Sequence, residues 1–496
     1  MNRIFFFIIL IFWFTNSFAQ LEHEITDYVP ETDLLALNKI EKWQDLKFGL
    51  LMTWGPYSQW GIVESWSLCP EDYGWCMRTE GSHSDNYYQY KKEYENLKTT
   101  FNPTKFDPDK WAKAAKDAGM KYVVAMAKHH DGFCMFDTKT TDYKITDKTC
   151  PFNSNPRSNV LKEILNSFTQ QNFMAGIYFS KPDWHSEYYW DPYFPPLDRN
   201  VNYDPELYPE KWQKFVDFTH NQISELLTDY GQIDILWLDG GWVAKQKDEV
   251  ANWYKNSLKN SPSGFLKSKI VNQDIKMDEL VVQARKLQPG LIVVDRAVKG
   301  KNQNYLTPEN TVPENALLYP WESCITSGGG WSWVFNATYK SSYELVHMLI
   351  DIVCKGGNLL LNIGPGPDGT WDDAAYDRLS EIGEWMKINS EAIYETRALK
   401  PYKESKICFT NKKNSNTVYA IYMADEKENN IPSEIFISSF VPKNNSKINL
   451  LGYSQNLDWK KVGNGILISV PKEIQNNPTC KYAWTFKIND VEKFYN

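Results

Sequence analysis

Two patterns of hydrophobic and polar positions follow one another along the chain. Between about residues 45 and 395, short apolar runs alternate with longer segments whose apolar positions recur at helical spacing. Helix-length segments include residues 108–118, 209–230 and 343–355. The apolar runs between such segments cover residues 48–54, 121–127, 174–179, 233–238, 291–294 and 358–363. This repeated strand–helix order predicts a parallel sheet with helices outside it.

Polar residues such as Thr53, His129, Asp239 and Arg296 stand where these apolar runs end. In a closed barrel, the chemical groups gather at the carboxyl ends of the strands. No GxGxxG motif opens a helix after a strand, so an open dinucleotide-binding sheet loses support. We therefore predict an α/β fold, a (β/α)8-like barrel over residues 20–397, with six of its eight strands legible in the pattern.

The second pattern begins at about residue 398 and consists of short, often alternating runs separated by Asn, Lys and Gly. The runs cover residues 406–410, 418–423, 434–438, 448–451 and 465–470. Such runs are typical of an antiparallel β-sandwich, which we predict for residues 398–496. The runs carry no Trp-lined stripe that would indicate carbohydrate binding, so we expect this domain to pack against the barrel and support it.

The first residues of the chain resemble an export signal. Arg3 precedes an apolar stretch over residues 4–14, and Ser17-Phe18-Ala19 resembles a cleavage site. The apolar stretch is too short to span a bilayer comfortably. We predict a signal peptide over residues 1–19 and a mature protein that is periplasmic or secreted, without membrane insertion.

Composition and charge exclude some classes of partner. The net charge is −8, and Lys and Arg do not cluster, which argues against nucleic-acid binding. The 20 Trp and 29 Tyr residues can stack on sugar rings or simply fill a large core, and composition does not choose between these uses. Eight cysteines in a chain this long do not indicate a disulfide framework, although a local Cys69–Cys76 bridge stays open.

Asp239 is the sharpest chemical signal in the sequence. It ends an apolar run, two glycines follow it, and Trp237 and Trp242 flank it. A carboxylate at a strand end beside indole faces suits a nucleophile that attacks the anomeric carbon of a stacked sugar. The alternative is a helix N-cap, which does not need two neighbouring tryptophans.

Adjacent histidines, His129 and His130, close another predicted strand. Neighbouring residues of a strand point to opposite faces, and no further spaced histidine or CxxC pair completes a metal site. We therefore expect no metal at this position and no other cofactor. Hydrogen bonds from these imidazoles to sugar hydroxyls fit better, and a purely structural role is the alternative.

Arg296 follows a further strand and can bind a hydroxyl or keep the nucleophile ionised. A retaining glycosidase also needs a second carboxyl group roughly 5–5.5 Å from the nucleophile to protonate the leaving oxygen. Glu309, Glu314 and Glu322 all lie on the segment that should overhang the site. Spacing alone does not choose among them.

The chain resembles the α-L-fucosidases of glycoside hydrolase family 29 over nearly the whole predicted barrel. The matching motifs are Lys47-Phe48-Gly49, Trp54-Gly55, Tyr57-Ser58, Lys128-His129-His130-Asp131-Gly132-Phe133, Gly176-Ile177-Tyr178, Asp183-Trp184, Trp237-Leu238-Asp239-Gly240, Asp295-Arg296, Trp321-Glu322, Gly356-Gly357-Asn358-Leu359-Leu360-Leu361-Asn362-Ile363-Gly364-Pro365 and Asn389-Ser390-Glu391-Ala392-Ile393-Tyr394.

The resemblance implies a retaining exo-enzyme that removes terminal α-L-fucose from glycans by double displacement, without a metal or organic cofactor. It places the nucleophile on Asp239 and the acid/base on Glu309. Glu322 then binds or orients the substrate and is the second candidate for the proton donor. The resemblance assigns sugar binding to Trp66, His129, His130, Tyr178, Trp237 and Arg296. A catalytically silent sugar-binding protein and a transfucosidase are the alternatives.

Two departures from the family pattern bear on specificity. Thr53 stands where the family usually has a His that contacts the sugar. The smaller side chain leaves room for a 6-hydroxyl, so L-galactosides become candidate substrates beside fucosides; the alternative is that another residue fills the gap. The segment over residues 69–94 is longer than the family pattern needs, and it forms either a leaving-group subsite or a surface excursion.

Overall fold

The computed structural model describes residues 28–261 and 270–494, so the predicted signal peptide lies outside the described residues. Parallel strands form the main sheet, in the order β5-β4-β3-β2-β1-β7-β6. All six predicted strands are present, and β6 is the one that the pattern did not reveal. The strands are β1 Phe48–Met52, β2 Tyr122–Lys128, β3 Met174–Ser180, β4 Ile235–Asp239, β5 Ile292–Asp295, β6 Glu322–Thr326 and β7 Asn358–Asn362.

An irregular segment over residues 303–309 occupies the place between β5 and β6. Single bridges join it to both neighbours: Gln303 pairs with β5, and Glu309 pairs with Cys324 of β6. Asn304 completes the link, because its amide N donates to the carbonyl O of Val293 at 2.9 Å. This irregular segment takes the place of the eighth strand and closes the barrel. The architecture is therefore the predicted (β/α)8-like barrel.

Helices cover the outside of the barrel, and local capping explains where several begin. Asp107 accepts a hydrogen bond from the N of Lys110 and precedes a proline at the first helical position. Ser341 and Glu344 form a reciprocal capping box. The helices are α1 Leu34–Leu46, α2 Tyr87–Asn96, α3 Pro108–Asp117, α4 Val160–Gln170, α5 Pro209–Asp229, α6 Asp248–Asn260, α7 Met277–Leu287, α8 Ser342–Cys354 and α9 Asp373–Asn389. Within the described ranges, none of the helices is both long and apolar enough to cross a bilayer.

The inside of the barrel is filled by side chains from alternating strand positions. Tyr122, Tyr178 and Trp237 belong to this inner cluster, and all are buried. Gly49 makes room for the Tyr122 ring at the bottom, since an added Cβ would lie 2.3 Å from that ring. The Tyr122 hydroxyl donates to the Glu322 carboxyl at 2.6 Å, and this carboxyl also accepts from the Trp237 indole N. Packing inside the barrel therefore helps to orient the Trp237 ring.

The C-terminal part is a β-sandwich with its own core, as predicted. Its six-stranded sheet has the order β14-β13-β17-β10-β9-β8 and faces smaller sheets of order β11-β16-β15 and β12-β18. The Trp385 indole of α9 donates to the Ala483 carbonyl at 3.0 Å and ties the sandwich to the barrel. Its elements are β8 Thr396–Glu404, β9 Ile407–Lys412, β10 Val418–Met423, β11 Glu434–Ile437, β12 Phe440–Pro442, β13 Ile448–Leu450, β14 Asn456–Leu457, β15 Trp459–Val462, β16 Gly465–Ser469, α10 Lys472–Gln475, β17 Ala483–Ile488 and β18 Val491–Phe494.

Candidate active site

A cavity of about 610 Å³ opens at the carboxyl ends of the barrel strands. Most of the residues that the sequence singled out line it. Glu322 lies outside it, and Glu314 lines a different pocket beside α8 and β8. The lining includes Thr53, Glu64, Trp66, Trp75, His129, His130, Tyr178, Arg199, Trp237, Asp239, Trp242, Arg296, Glu309 and Trp331. The barrel topology thus brings together distant residues such as Thr53 and Trp331, which are 278 positions apart in the chain.

Asp239 is the last residue of β4, and two groups hold its carboxylate. The Tyr178 hydroxyl donates to Oδ2 at 2.6 Å, and Nη1 of Arg296 donates to Oδ1 at 3.0 Å. Burial opposes ionisation of Asp239, but the Arg296 charge and the Tyr178 hydrogen bond outweigh it and lower the pKa below its ordinary value. The side chain is therefore an anion at neutral pH, which a nucleophile requires.

His129 and His130 both line the cavity, so the prediction that they point in opposite directions was wrong. Strand β2 ends at Lys128 after a register shift against β3, and the histidines lie beyond the regular strand. Their ring centroids are 4.2 Å apart. The alternation of side chains holds only for regular extended backbone, and that geometry has ended here.

Both imidazoles are neutral at neutral pH. Burial is the main cause: it lowers the pKa of His130 to about 4 and that of His129 well below its ordinary value. Nδ1 of His129 lies 2.5 Å from the Ser65 hydroxyl, which leaves Nε2 of this ring for a ligand. Neutral rings can donate to or accept from sugar hydroxyls, according to their tautomers.

His129, His130 and Asp239 together bring three donor atoms within 4.8 Å of one another, a spacing that a metal ion can use. The Arg296 guanidinium already contacts Asp239, and its positive charge opposes a cation at this position. The donor set therefore fits a sugar hydroxyl network better than a metal.

Arg296 connects the two carboxyl groups of the site. Its Nη1 contacts Asp239, and its Nη2 contacts Oε2 of Glu309. The Glu309 side chain is 38% exposed and lies at the cavity mouth, whereas Asp239 lies deeper. One carboxylate at the floor and a second carboxyl at the mouth form the arrangement that nucleophilic attack with protonation of a departing oxygen requires.

Glu322 lies outside the cavity, beneath the ring of Trp237. Its carboxylate accepts from the Tyr122 hydroxyl at 2.6 Å and from the Trp237 indole N at 3.3 Å. Burial raises its pKa to about 7. The structure therefore places this residue as a support for Trp237 and keeps it away from the cavity space that Glu309 reaches.

Glu64 is a cavity residue that the sequence reasoning missed. It is buried, and its Oε1 accepts from the backbone N of Ser332 at 2.8 Å. Burial, with the charges of Glu309 and Asp239, raises its pKa to about 8, so it is a neutral acid at neutral pH. The available signal was its position two residues before Trp66, a predicted sugar-binding residue. Glu64 lies in a loop, however, where no side-chain periodicity predicts which residues face the cavity.

Thr53 lies at the cavity wall and is held by β7. Its hydroxyl donates to Oδ1 of Asn362 at 2.9 Å, and its backbone N points to the same oxygen at 3.2 Å. The Asn362 amide in turn donates to the Trp331 carbonyl. Since the only proton of the hydroxyl is used on Asn362, its remaining capacity is to accept a hydrogen bond.

Aromatic rings form much of the remaining wall. The Trp66 ring meets the His130 ring at 5.2 Å, and the Tyr178 ring stacks on Trp237 at 5.3 Å. A sugar-sized pocket of rings and hydrogen-bonding groups, with a buried carboxylate and a second carboxyl at its mouth, defines a glycoside hydrolase on a barrel scaffold.

Comparisons with known proteins identify the family. The α-L-fucosidase family profile matches residues 16–391, and the α-L-fucosidase C-terminal domain profile matches residues 400–489. The chain belongs to the α-L-fucosidase family, glycoside hydrolase family 29.

Relatives and solved structures agree with this assignment over almost the whole chain. Human plasma α-L-fucosidase is 26% identical, covering 95% of this chain and 94% of the human protein. Human tissue α-L-fucosidase is 27% identical, covering 94% and 92%. The structure of α-L-fucosidase isoenzyme 1 from Paenibacillus thiaminolyticus superposes with a TM-score of 0.70 at 26% identity, covering 92% of this chain and 100% of that one.

Proposed function

We propose that the protein hydrolyses terminal α-L-fucosides with retention, using Asp239 as nucleophile and Glu309 as acid/base. Asp239 attacks the anomeric carbon while Glu309 protonates the departing glycosidic oxygen. Glu309 then removes a proton from a water molecule. This water attacks the anomeric carbon and releases the sugar from Asp239. The observation that carries the proposal is the Arg296 guanidinium, which contacts both carboxyl groups and keeps the deeper one anionic.

The test of the nucleophile is Asp239→Asn, which keeps the shape of the side chain and removes its charge. Activity on p-nitrophenyl α-L-fucoside should fall by about 10³-fold or more, while the circular dichroism spectrum stays that of the folded protein. Turnover near that of the wild type would contradict the assignment. Release of free fucose, measured against transfer to an added sugar, distinguishes hydrolysis from a transfucosidase.

The test of the acid/base compares two leaving groups in Glu309→Ala. Hydrolysis of a fucosyl disaccharide, whose leaving oxygen needs a proton, should fall far more than hydrolysis of the p-nitrophenyl fucoside. Added azide should restore turnover and yield an α-fucosyl azide, because it replaces the water that Glu309 activates and attacks the glycosyl-enzyme from the same face. Glu309 must turn away from Arg296 to reach the leaving oxygen, and its exposed position permits this. Equal losses on both substrates would point to another proton donor.

We further propose that the site also accepts α-L-galactosides. Thr53 is smaller than the histidine of the family pattern, and its hydroxyl retains only acceptor capacity because it donates to Asn362. A sugar 6-hydroxyl, which fucose lacks, is a donor that matches this acceptor. Measuring kcat/KM on the p-nitrophenyl α-L-fucoside and α-L-galactoside tests this, and Thr53→His should raise the fucoside-to-galactoside ratio. An unchanged ratio would refute the role of Thr53.

We also propose that the signal peptide directs export of the protein to the periplasm or the medium. The support is the sequence of residues 1–19, with Arg3, an apolar stretch and Ser17-Phe18-Ala19. N-terminal sequencing of protein recovered from the periplasm or medium should begin at Gln20. An intact Met1 on the active protein would contradict it.

A further inference from the structure

Residues 69–76, which we call the Trp75 loop, form part of the cavity wall. Trp75 lines the cavity and is 48% exposed. Its ring stacks on Tyr73, with centroids 4.7 Å apart and the ring planes at 4°. An exposed indole backed by a parallel ring presents a flat apolar surface, which is the shape that the apolar face of a pyranose ring covers.

The Trp75 loop is anchored at several points. The Glu71 carboxylate accepts from Nε of Arg199 at 2.8 Å and from the Arg199 backbone N at 2.9 Å. Cys69 and Cys76, at the two ends of the loop, are buried free thiols. A loop whose ends are buried and which is hydrogen-bonded to a second loop is pre-organised, which lowers the cost of ordering it around a ligand.

Arg199 adds a polar group beside the stacking surface. Its guanidinium lies over the rings of Trp66 at 4.8 Å, Trp242 at 5.2 Å and Tyr73 at 5.7 Å. Its Nε and Nη2 are taken by Glu71, whereas Nη1 has no hydrogen-bond partner among residues 28–261 and 270–494. A donor at the edge of an aromatic surface suits a ligand with an apolar face and hydroxyl groups at its rim.

The position of Trp75 determines which part of a substrate it can meet. Asp239 and Trp237 lie at the floor, while Trp75 and Glu309 are exposed residues of the same cavity wall. The sugar that is cleaved off sits against the nucleophile, so the leaving group extends past the acid/base toward the mouth. The exposed Trp75 ring therefore lies along the path of the leaving group.

We propose that Trp75, backed by Tyr73 and flanked by Arg199, forms a subsite for a pyranose leaving group. The proposal rests on the proposed function and extends it: the preferred substrates are glycans in which the terminal sugar is linked to another hexopyranose, rather than to a small or acyclic alcohol. The Trp75 loop is then a substrate-binding element and not a surface excursion.

The experiment compares α-L-fucosyl fluoride, whose leaving group has no ring, with α-L-fucosyl-galactose disaccharides of each linkage. The readout is the ratio of the disaccharide kcat/KM to the fluoride kcat/KM. In Trp75→Ala this ratio should fall about tenfold, as expected when about 60 Å² of apolar contact is lost. The matched control is Trp253→Ala, since Trp253 is a 61% exposed residue of α6 outside the cavity lining, and its ratio should equal that of the wild type.

The outcomes separate the two proposals. If the wild type cleaves both kinds of substrate but the ratio is unchanged in Trp75→Ala, or falls equally in Trp253→Ala, the subsite is refuted and the proposed function stands. If the wild type cleaves neither fluoride nor disaccharide, the proposed function fails and the subsite fails with it. A selective fall in Trp75→Ala supports both.

Discussion

The buried carboxyl of Glu64 makes a quantitative prediction about stability and pH. The residue is 1% exposed, and its Oε1 accepts from the backbone N of Ser332. Replacing it by glutamine keeps the side-chain shape and this acceptor oxygen but removes the titrating proton. The variant Glu64→Gln therefore isolates the cost of ionising one buried group.

The size of the effect follows from the pKa values. Burial raises the pKa of Glu64 from 4.5 to about 8, so the folded protein holds this proton over a range in which the unfolded chain has lost it. The stabilisation is fully present below pH 4.5 and is lost progressively as the pH rises to about 8. Each pH unit in this window costs about 1.4 kcal/mol, or about 4 kcal/mol between pH 5 and pH 8.

Urea unfolding of both proteins, followed by tryptophan fluorescence from pH 5 to pH 9, measures this cost as a difference. Asp131 and Glu322 also have pKa values raised to about 7, but both residues are present in each protein, so their contributions cancel. The free energy of unfolding of the wild type should fall relative to Glu64→Gln across the window and then run parallel to it. Curves that stay parallel from pH 5 upward would refute the reasoning.

Two further substitutions test groups around the site. Tyr178→Phe removes the hydrogen bond that stabilises and orients the Asp239 carboxylate, so kcat/KM on p-nitrophenyl α-L-fucoside should fall by about tenfold or more. An unchanged kcat/KM would contradict the role of the phenol. Lys128→Met leaves the buried Asp183, 2.7 Å from the present ammonium, without its partner, so urea unfolding should show a loss of about 3–5 kcal/mol. Adding Asp183→Asn should recover part of that loss, and a single-variant loss below about 1 kcal/mol would show that the pair matters little.

The choice among the three candidate carboxyls shows why spacing was insufficient. Glu309, Glu314 and Glu322 lie within 13 positions of one another, yet Glu309 faces the cavity mouth, Glu314 lines a different pocket, and Glu322 supports Trp237 from below. Residues 303–309 run irregularly between β5 and β6, so no side-chain period applies to Glu309. Only the path of this segment decides which carboxyl reaches the cavity.

The histidine pair illustrates the same limit at a single strand end. Alternation of side chains predicted that His129 and His130 diverge, and it failed because the regular backbone of β2 stops one residue earlier. The chemical interpretation as sugar-hydroxyl ligands did not depend on that alternation, and both rings do line the cavity.

The sequence by itself determined six of the barrel strands with the helical pattern between them, the change to a β-sandwich, and the strand-end positions of Asp239, Arg296 and Thr53. These features follow from local periodicity and from apolar runs that must be buried. Strand β6 was not predicted because three of its five residues, Glu322, Ser323 and Thr326, are polar and leave no apolar run. The tertiary structure alone decided that Glu64 is a buried neutral acid and that Trp75 faces the cavity, because burial, shared charges and loop anchoring depend on residues distant in sequence.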